Sequence, residues 1–480
     1  MRAAVFVVLV VASSLIASAV MGQGRLSERI AAYVRAHHEL GLFNGTVLVA
    51  QDGTTVFADG FGDARRGEPN TVDTAYRIGS VSKQFTAALV LRLAERGELD
   101  LDASISAYLP EYPKPQGDAI TLDMLLRHAS GIPNYTALPI YRLAMDTHEP
   151  PADFLARFWN LELDFEPGTS FSYSNSGYYV LGVILERVSG QTLDELLQRE
   201  LIGPLELPST GYDSGPETAA LRAAGTEWTG FEFVDERTVD ESKIFAAGMM
   251  YSSAPALLRW TQLLHEGGVF DEPETHLKMT RPRDGESDDY VYGIGIRHFE
   301  RGGVRYRGMG HGGGLHGFQS SLAHIEPGGW TIVVLCNNGQ QINAMADGIA
   351  AIVTGGETPM PRMPMERELA QRVEADGIER TRQWFEEVQG SATTTFDMHE
   401  GGLNSLGYAY LARSNPEAAV LVFECNASLF PKSANVYDSL GEGLLALGDH
   451  EGALKNYRKS LELDPGNTNA VEFIRRIENR

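Results

Sequence analysis

Five positions near the C-terminus of this chain repeat themselves. Leu406-Gly407, Ala419, Phe423 and Pro431 return thirty-four residues later as Leu440-Gly441, Ala453, Tyr457 and Pro465. A period of that length, with small residues at some places and large ones at others, marks stacked pairs of antiparallel helices. One such pair cannot bury both its faces, so the repeat demands further helices beside it. Helix-like stretches over 365–375 and 378–388 supply a degenerate repeat before it, and 469–477 supplies a cap after it. Residues 365–480 are therefore expected to form an all-α repeat domain. Gly355-Gly356, Pro359, Pro361 and Pro364 break regular structure ahead of it, which predicts a linker over 355–364.

The 480 residues are too many for one ordinary domain, and a second core is expected over 23–354. Strand alternation from Gly45 to Ala50, a turn at Asp52-Gly53 and alternation again from Thr55 to Phe61 predict a hairpin. A strongly apolar helix follows from near Ser80 to Arg96, with Gly97 placed to end it. Between 121 and 264, helical patterns such as 177–188 and 254–264 alternate with Pro- and Gly-rich loops. Strand patterns return over 290–336, broken at Gly302-Gly303 and Gly328-Gly329. Strands at both ends and helices between predict an α+β domain whose antiparallel sheet closes only when the last strands reach the first.

Met1 and Arg2 precede an apolar run over 3–20 that ends on Ala17-Ser18-Ala19. Residues 1–22 thus read as a cleaved signal peptide, the alternative being an uncleaved anchor. No other stretch is apolar enough to span a bilayer, and no Cys follows the run to carry a lipid. A periplasmic or extracellular protein with no stable membrane span is expected. The net charge of −24 opposes nucleic-acid binding, which needs Lys and Arg to displace counterions from phosphates. Cys336 falls in a strand pattern and Cys425 in the repeats, so two buried free thiols are expected rather than a bridge.

Ser80 and Lys83 stand one helical turn apart at the start of the apolar helix, so both side chains project to one side. A serine hydroxyl is a weak nucleophile until a base takes its proton, and a desolvated lysine can lose its charge and serve. The pair opens a buried helix rather than a solvated face.

Here the chain resembles the serine β-lactamase and penicillin-binding protein superfamily, class C branch, and the repeats resemble tetratricopeptide repeats. Ser80-Val81-Ser82-Lys83 looks like the pair that begins the family's central helix. Tyr173-Ser174-Asn175 looks like its Tyr-x-Asn element. His311-Gly312-Gly313 stands where its Lys-Thr-Gly strand is expected. The resemblance runs from about Phe43 to Asn338 and takes in His128-Ala129-Ser130-Gly131 and Glu166-Pro167-Gly168. It implies a β-lactamase/transpeptidase-like fold with a helical lobe. It also implies Ser80 as nucleophile, Lys83 with Tyr173 as the proton-transfer group, and Asn175 orienting Lys83 and touching substrate. The amides of Ser80 and Gly314 would form an oxyanion hole, with Gly313 and His311 lining the substrate side. Histidine where the family has lysine gives a weaker, pH-dependent grip on a substrate carboxylate. The implied reaction is therefore hydrolysis of an ester, with D-amino-acid peptides and β-lactams ranked behind, and without a cofactor.

Rival readings are weaker. His37, His38, His311 and His316 show no metal-ligand spacing, and no metal is expected. No G-x-S-x-G elbow signals a Ser-His-Asp hydrolase. The remaining alternative is a non-catalytic penicillin-binding-like scaffold, since concave helical repeats are surfaces for protein partners.

Overall fold

The structure, a computed structural model, describes residues 23–282, 289–391 and 395–479. The apolar run read as a signal peptide lies outside the described residues. The described residues form two compact units, 23–227 with 235–359, and 228–234 with 360–479.

The first unit is built on a seven-stranded antiparallel sheet of β1 (Gly45–Gln51), β2 (Thr54–Phe61), β3 (Tyr290–Val291), β4 (Ile294–Arg301), β5 (Val304–Leu315), β6 (Phe318–Glu326) and β7 (Trp330–Cys336). Their order across the sheet is β3-β4-β5-β6-β7-β1-β2. The last strand thus pairs with the first, in register from Gly45 opposite Cys336 to Gln51 opposite Trp330. The expected α+β architecture is the one observed.

Both faces of the sheet centre are covered. On β1, Leu48 and Ala50 point into the larger core, while Val47 and Val49 point into a second core under the helix of residues 23–39 and the helix Asn343–Val353. This is why β1 carries a continuous Val-Leu-Val-Ala run where one-sided burial would have given strict alternation. The larger core holds α1 (Ser82–Glu95), α2 (Asn175–Ser189) and α3 (Ala254–Glu266). In α1 every residue from Ser82 to Leu91 is buried, as expected for a helix at the centre of a domain. Phe85 stacks on Trp260 at 4.1 Å, and Trp260 Nε1 donates to Gln84 Oε1 at 2.8 Å, which ties α3 to α1.

The second unit contains helices Met365–Asp376, Ile378–Val388, Glu400–Ala412, Pro416–Leu429, Ala434–Leu447, His450–Leu463 and Thr468–Glu478. The repeated glycines have a packing cause. A Cβ on Gly407 would lie 2.3 Å from the Phe423 ring, and one on Gly441 would lie 2.9 Å from the Tyr457 ring. Small and large positions therefore recur together. The N-caps recur too: Asn415 accepts from Ala418 N, and Asp449 from Gly452 N, at the same offset. Cys336 and Cys425 are buried free thiols.

Candidate active site

Gly79 turns the chain with φ 50°, and the turn Gly79–Val81 is a tight 3-10 turn. The α-helix proper therefore begins at Ser82, two residues later than the sequence pattern suggests. The turn is pinned from outside: Ile78 N donates to Met250 O at 2.9 Å, and Met250 N donates to Ser82 Oγ at 3.2 Å. Ser80 emerges half-buried from this turn.

Lys83 is wholly buried, and its Nζ donates to Ser80 Oγ at 3.0 Å, Asn175 Oδ1 at 2.8 Å and Ala247 O at 2.7 Å. All three acceptors are uncharged. Burial therefore holds the Lys83 pKa well below the ordinary lysine value. From the opposite side the Tyr173 phenol donates to Ser80 Oγ at 2.9 Å, and burial pushes its pKa up to about 12. The serine oxygen thus lies between an amine inclined to give up its proton and a phenol inclined to keep it.

Asn175 is held at its backbone N and at both side-chain polar atoms. Its N donates to Asn134 Oδ1 at 3.1 Å and its Nδ2 to Thr136 Oγ1 at 3.1 Å, which leaves Oδ1 for Lys83. The Ala247 carbonyl comes from the 3-10 turn Phe245–Ala247, seated on α2 where Gly182 leaves room. A Cβ on Gly182 would lie 2.4 Å from the Phe245 ring.

The glycine segment of β5 runs against the Ser80 turn. A Cβ on Gly313 would lie 2.0 Å from Ile78 O, and one on Gly79 would lie 2.7 Å from Gly314 N. Ser320 Oγ on β6 donates to the same Ile78 O at 2.7 Å. The Gly314 amide and the Ser80 turn consequently meet with no side chain between them.

His311, also on β5, has both ring nitrogens engaged. Nδ1–H donates to Gly312 O at 2.5 Å, and Nε2 accepts from the Tyr290 hydroxyl at 3.1 Å. Burial, with the nearby Lys83 charge, pushes its pKa down to about 4. The expected pH-dependent contact is therefore confined to acid conditions, and at neutral pH the ring offers neither a charge nor a free N–H.

Several neighbours take roles here that the sequence does not assign, His128 of the His128–Gly131 segment among them. His128 is buried among Phe171, Tyr173, Tyr178 and Tyr290, accepting from Ser174 N at Nδ1, 3.2 Å away. Asn134, Thr136 and the Ala247 carbonyl also come from segments whose roles depend on tertiary contact. Asn134 lies three residues beyond the His128–Gly131 segment, and Tyr290 opens a strand pattern, so neither carries a local signal of a site role. The histidines weighed as metal ligands diverge: His37 Nδ1 meets Tyr33 O, His38 Nδ1 meets Phe43 O, and His316 Nδ1 meets Glu227 Oε1.

The chain matches the Beta-lactamase family over residues 26–354 and the Tetratricopeptide repeat family over 434–467. It is 28% identical over 314 residues to the putative penicillin-binding protein PbpX of Bacillus subtilis, covering 65% of this chain and 74% of that one. It is 33% identical over 207 residues to esterase EstB of Burkholderia gladioli, covering 40% of this chain and 53% of that one. Among solved structures, the D-stereospecific amidohydrolase of a Streptomyces species superposes with a TM-score of 0.54 at 25% identity, covering 65% of this chain and 94% of that one. Among the described residues no helix is long and apolar enough to cross a membrane. The matched repeat is consistent with a protein-interaction role.

Proposed function

The chain belongs to the Beta-lactamase family, and on that premise we propose that it is an exported serine hydrolase that opens ester or amide bonds through an acyl-enzyme on Ser80. The observation that carries this reading is the Ser80 hydroxyl held between Lys83 Nζ and the Tyr173 phenol. Neutral Lys83 takes the hydroxyl proton as Ser80 Oγ bonds to the substrate carbonyl carbon. Charge gathering on the carbonyl oxygen is met by the amides of Ser80 and Gly314 acting as the oxyanion hole. As the tetrahedral intermediate collapses, the bond to the leaving group breaks and that group is protonated through Tyr173. The proton held by Lys83 then restores the phenol. Water attacks the acyl ester by the same relay in reverse, releasing the acid and restoring Ser80.

For substrate, we place uncharged esters ahead of β-lactams and D-amino-acid peptides. Recognising a carboxylate calls for a cation or a free donor, and His311 supplies neither at neutral pH. The test is kcat/KM for p-nitrophenyl esters, nitrocefin and D-Ala-D-Ala peptides with wild type and His311→Lys. Wild type is expected to favour the esters. The lysine variant should gain about tenfold on the carboxylate-bearing substrates, the worth of one charged hydrogen bond. A wild-type preference for carboxylate-bearing substrates would refute the substrate assignment.

A further inference from the structure

We propose that His265, His324 and Glu326 form a second site, separate from Ser80, that binds a divalent transition-metal ion such as Zn2+. His324 and Glu326 are two apart on β6 and so share one face of the sheet. His265 is in the last turn of α3, and its ring stacks on that of His324 with centroids 4.0 Å apart and planes at 24°. One ligand atom from each of the three residues lies within 4.8 Å of the others.

Two imidazoles and a carboxylate are a ligand set that suits zinc and leaves a position open for water. Tetrahedral donors at about 2.0 Å from zinc stand about 3.3 Å apart, so the donors must close in by up to about 1.5 Å and the stacked rings must turn so that both in-plane lone pairs face the ion. Glu326, 52% exposed, has the freedom to do so. His324 is already oriented by its Nδ1, 3.2 Å from Thr331 Oγ1. In the tautomer where Nδ1–H donates to that hydroxyl, Nε2 presents its lone pair toward Glu326 Oε1, 3.8 Å away.

The cluster opens into a cavity of about 780 Å3 that Asp52, Gln262 and Arg305 also line, large enough for water or a small anion to complete the coordination. Arg307 borders the same cavity as the cross-strand partner of Glu326, with its Nη2 donating to Thr280 O at 2.8 Å, so it is the cation that a bound ion would have to outcompete for the carboxylate. His324 is four residues along β6 from Ser320, which braces the Ser80 turn, a run of about 13 Å. A bound ion would staple the end of α3 to the sheet at the opposite end from the serine.

The test uses the full chain, purified without a histidine tag and dialysed against Zn2+ at pH 7.5, with bound metal counted by mass spectrometry. One equivalent per chain is expected. His265→Ala, His324→Ala and Glu326→Gln each remove a direct ligand and should weaken binding by at least the ~10–100-fold that loss of an outer-shell partner costs, and Zn2+ should raise the Tm of wild type but not of Glu326→Gln. The Glu326 variant alters an exposed side chain and so remains informative if a histidine variant fails to fold. His148→Ala, which disrupts the separate grouping of His148, Asp240 and Glu241, should bind as wild type does. Absence of stoichiometric binding, full affinity in Glu326→Gln, or loss of binding in His148→Ala would overturn the proposal.

Discussion

A lysine amine enclosed by three neutral acceptors is poorly placed to stay charged, and Lys83 has no carboxylate among the groups that accept from it. Its depressed pKa means that between the folded and unfolded values the unfolded chain binds the extra proton. Burying Lys83 therefore costs stability at low pH, and that cost falls as pH rises through this window. The same titration sets activity. The account predicts that kcat/KM rises with pH on a limb lying below the ordinary lysine pKa of about 10.4. It should stay level until the Tyr173 phenol, held up to about 12, begins to ionise. His311 cannot supply the rising limb near neutrality because it charges only near pH 4. Lys83→Ala should remove the limb and lower kcat/KM by about 10²–10⁴, and a limb surviving in that variant would exclude Lys83 as the base.

At the scale of elements, the spacing of Ser80 and Lys83 made their contact legible, because a 3-10 turn running into an α-helix still brings i and i+3 to one side, although the sequence placed Ser80 on the helix itself. The hairpin, the buried helix and the thirty-four-residue repeat were legible for the same reason: each is a local pattern. The carbonyl of Ala247, the clamp of Asn134 and Thr136 on Asn175, and the aromatic box around His128 were not, since nothing local in the chain brings a loop to a helix. The cluster of His265, His324 and Glu326 escaped likewise, its members being split between a helix end and a strand. Glycines fall between these cases. Gly313 is plain in the sequence, but only the packing shows that a Cβ there would collide with Ile78 O, whereas one on Gly312 would meet nothing nearer than 3.7 Å. Gly313→Ala should therefore push β5 from the Ser80 turn and cost about a hundredfold or more in kcat, the effect of misplacing an oxyanion donor. Gly312→Ala should leave Tm nearly unchanged. Equal activity in Gly313→Ala and wild type, with burst kinetics unaltered, would remove β5 from the oxyanion hole.

At the scale of the molecule, the sheet closes only when β7 returns to β1, so the first unit depends on contacts across nearly 300 residues, as Gly45 opposite Cys336 illustrates. That closure brings the glycines of β5 to the turn before α1, while α2 delivers Asn175 from the helical lobe. A fold of this kind hosts more than one chemistry, so the function rests on the reacting atoms rather than on the architecture. The most direct test is intact-mass and peptide mapping after exposure to a fluorophosphonate or penicillin-type acylating probe. The account predicts one covalent adduct per chain, on Ser80, and none in a folded Ser80→Ala variant. An unlabelled wild-type protein, or a label that persists when Ser80 is replaced, would contradict it.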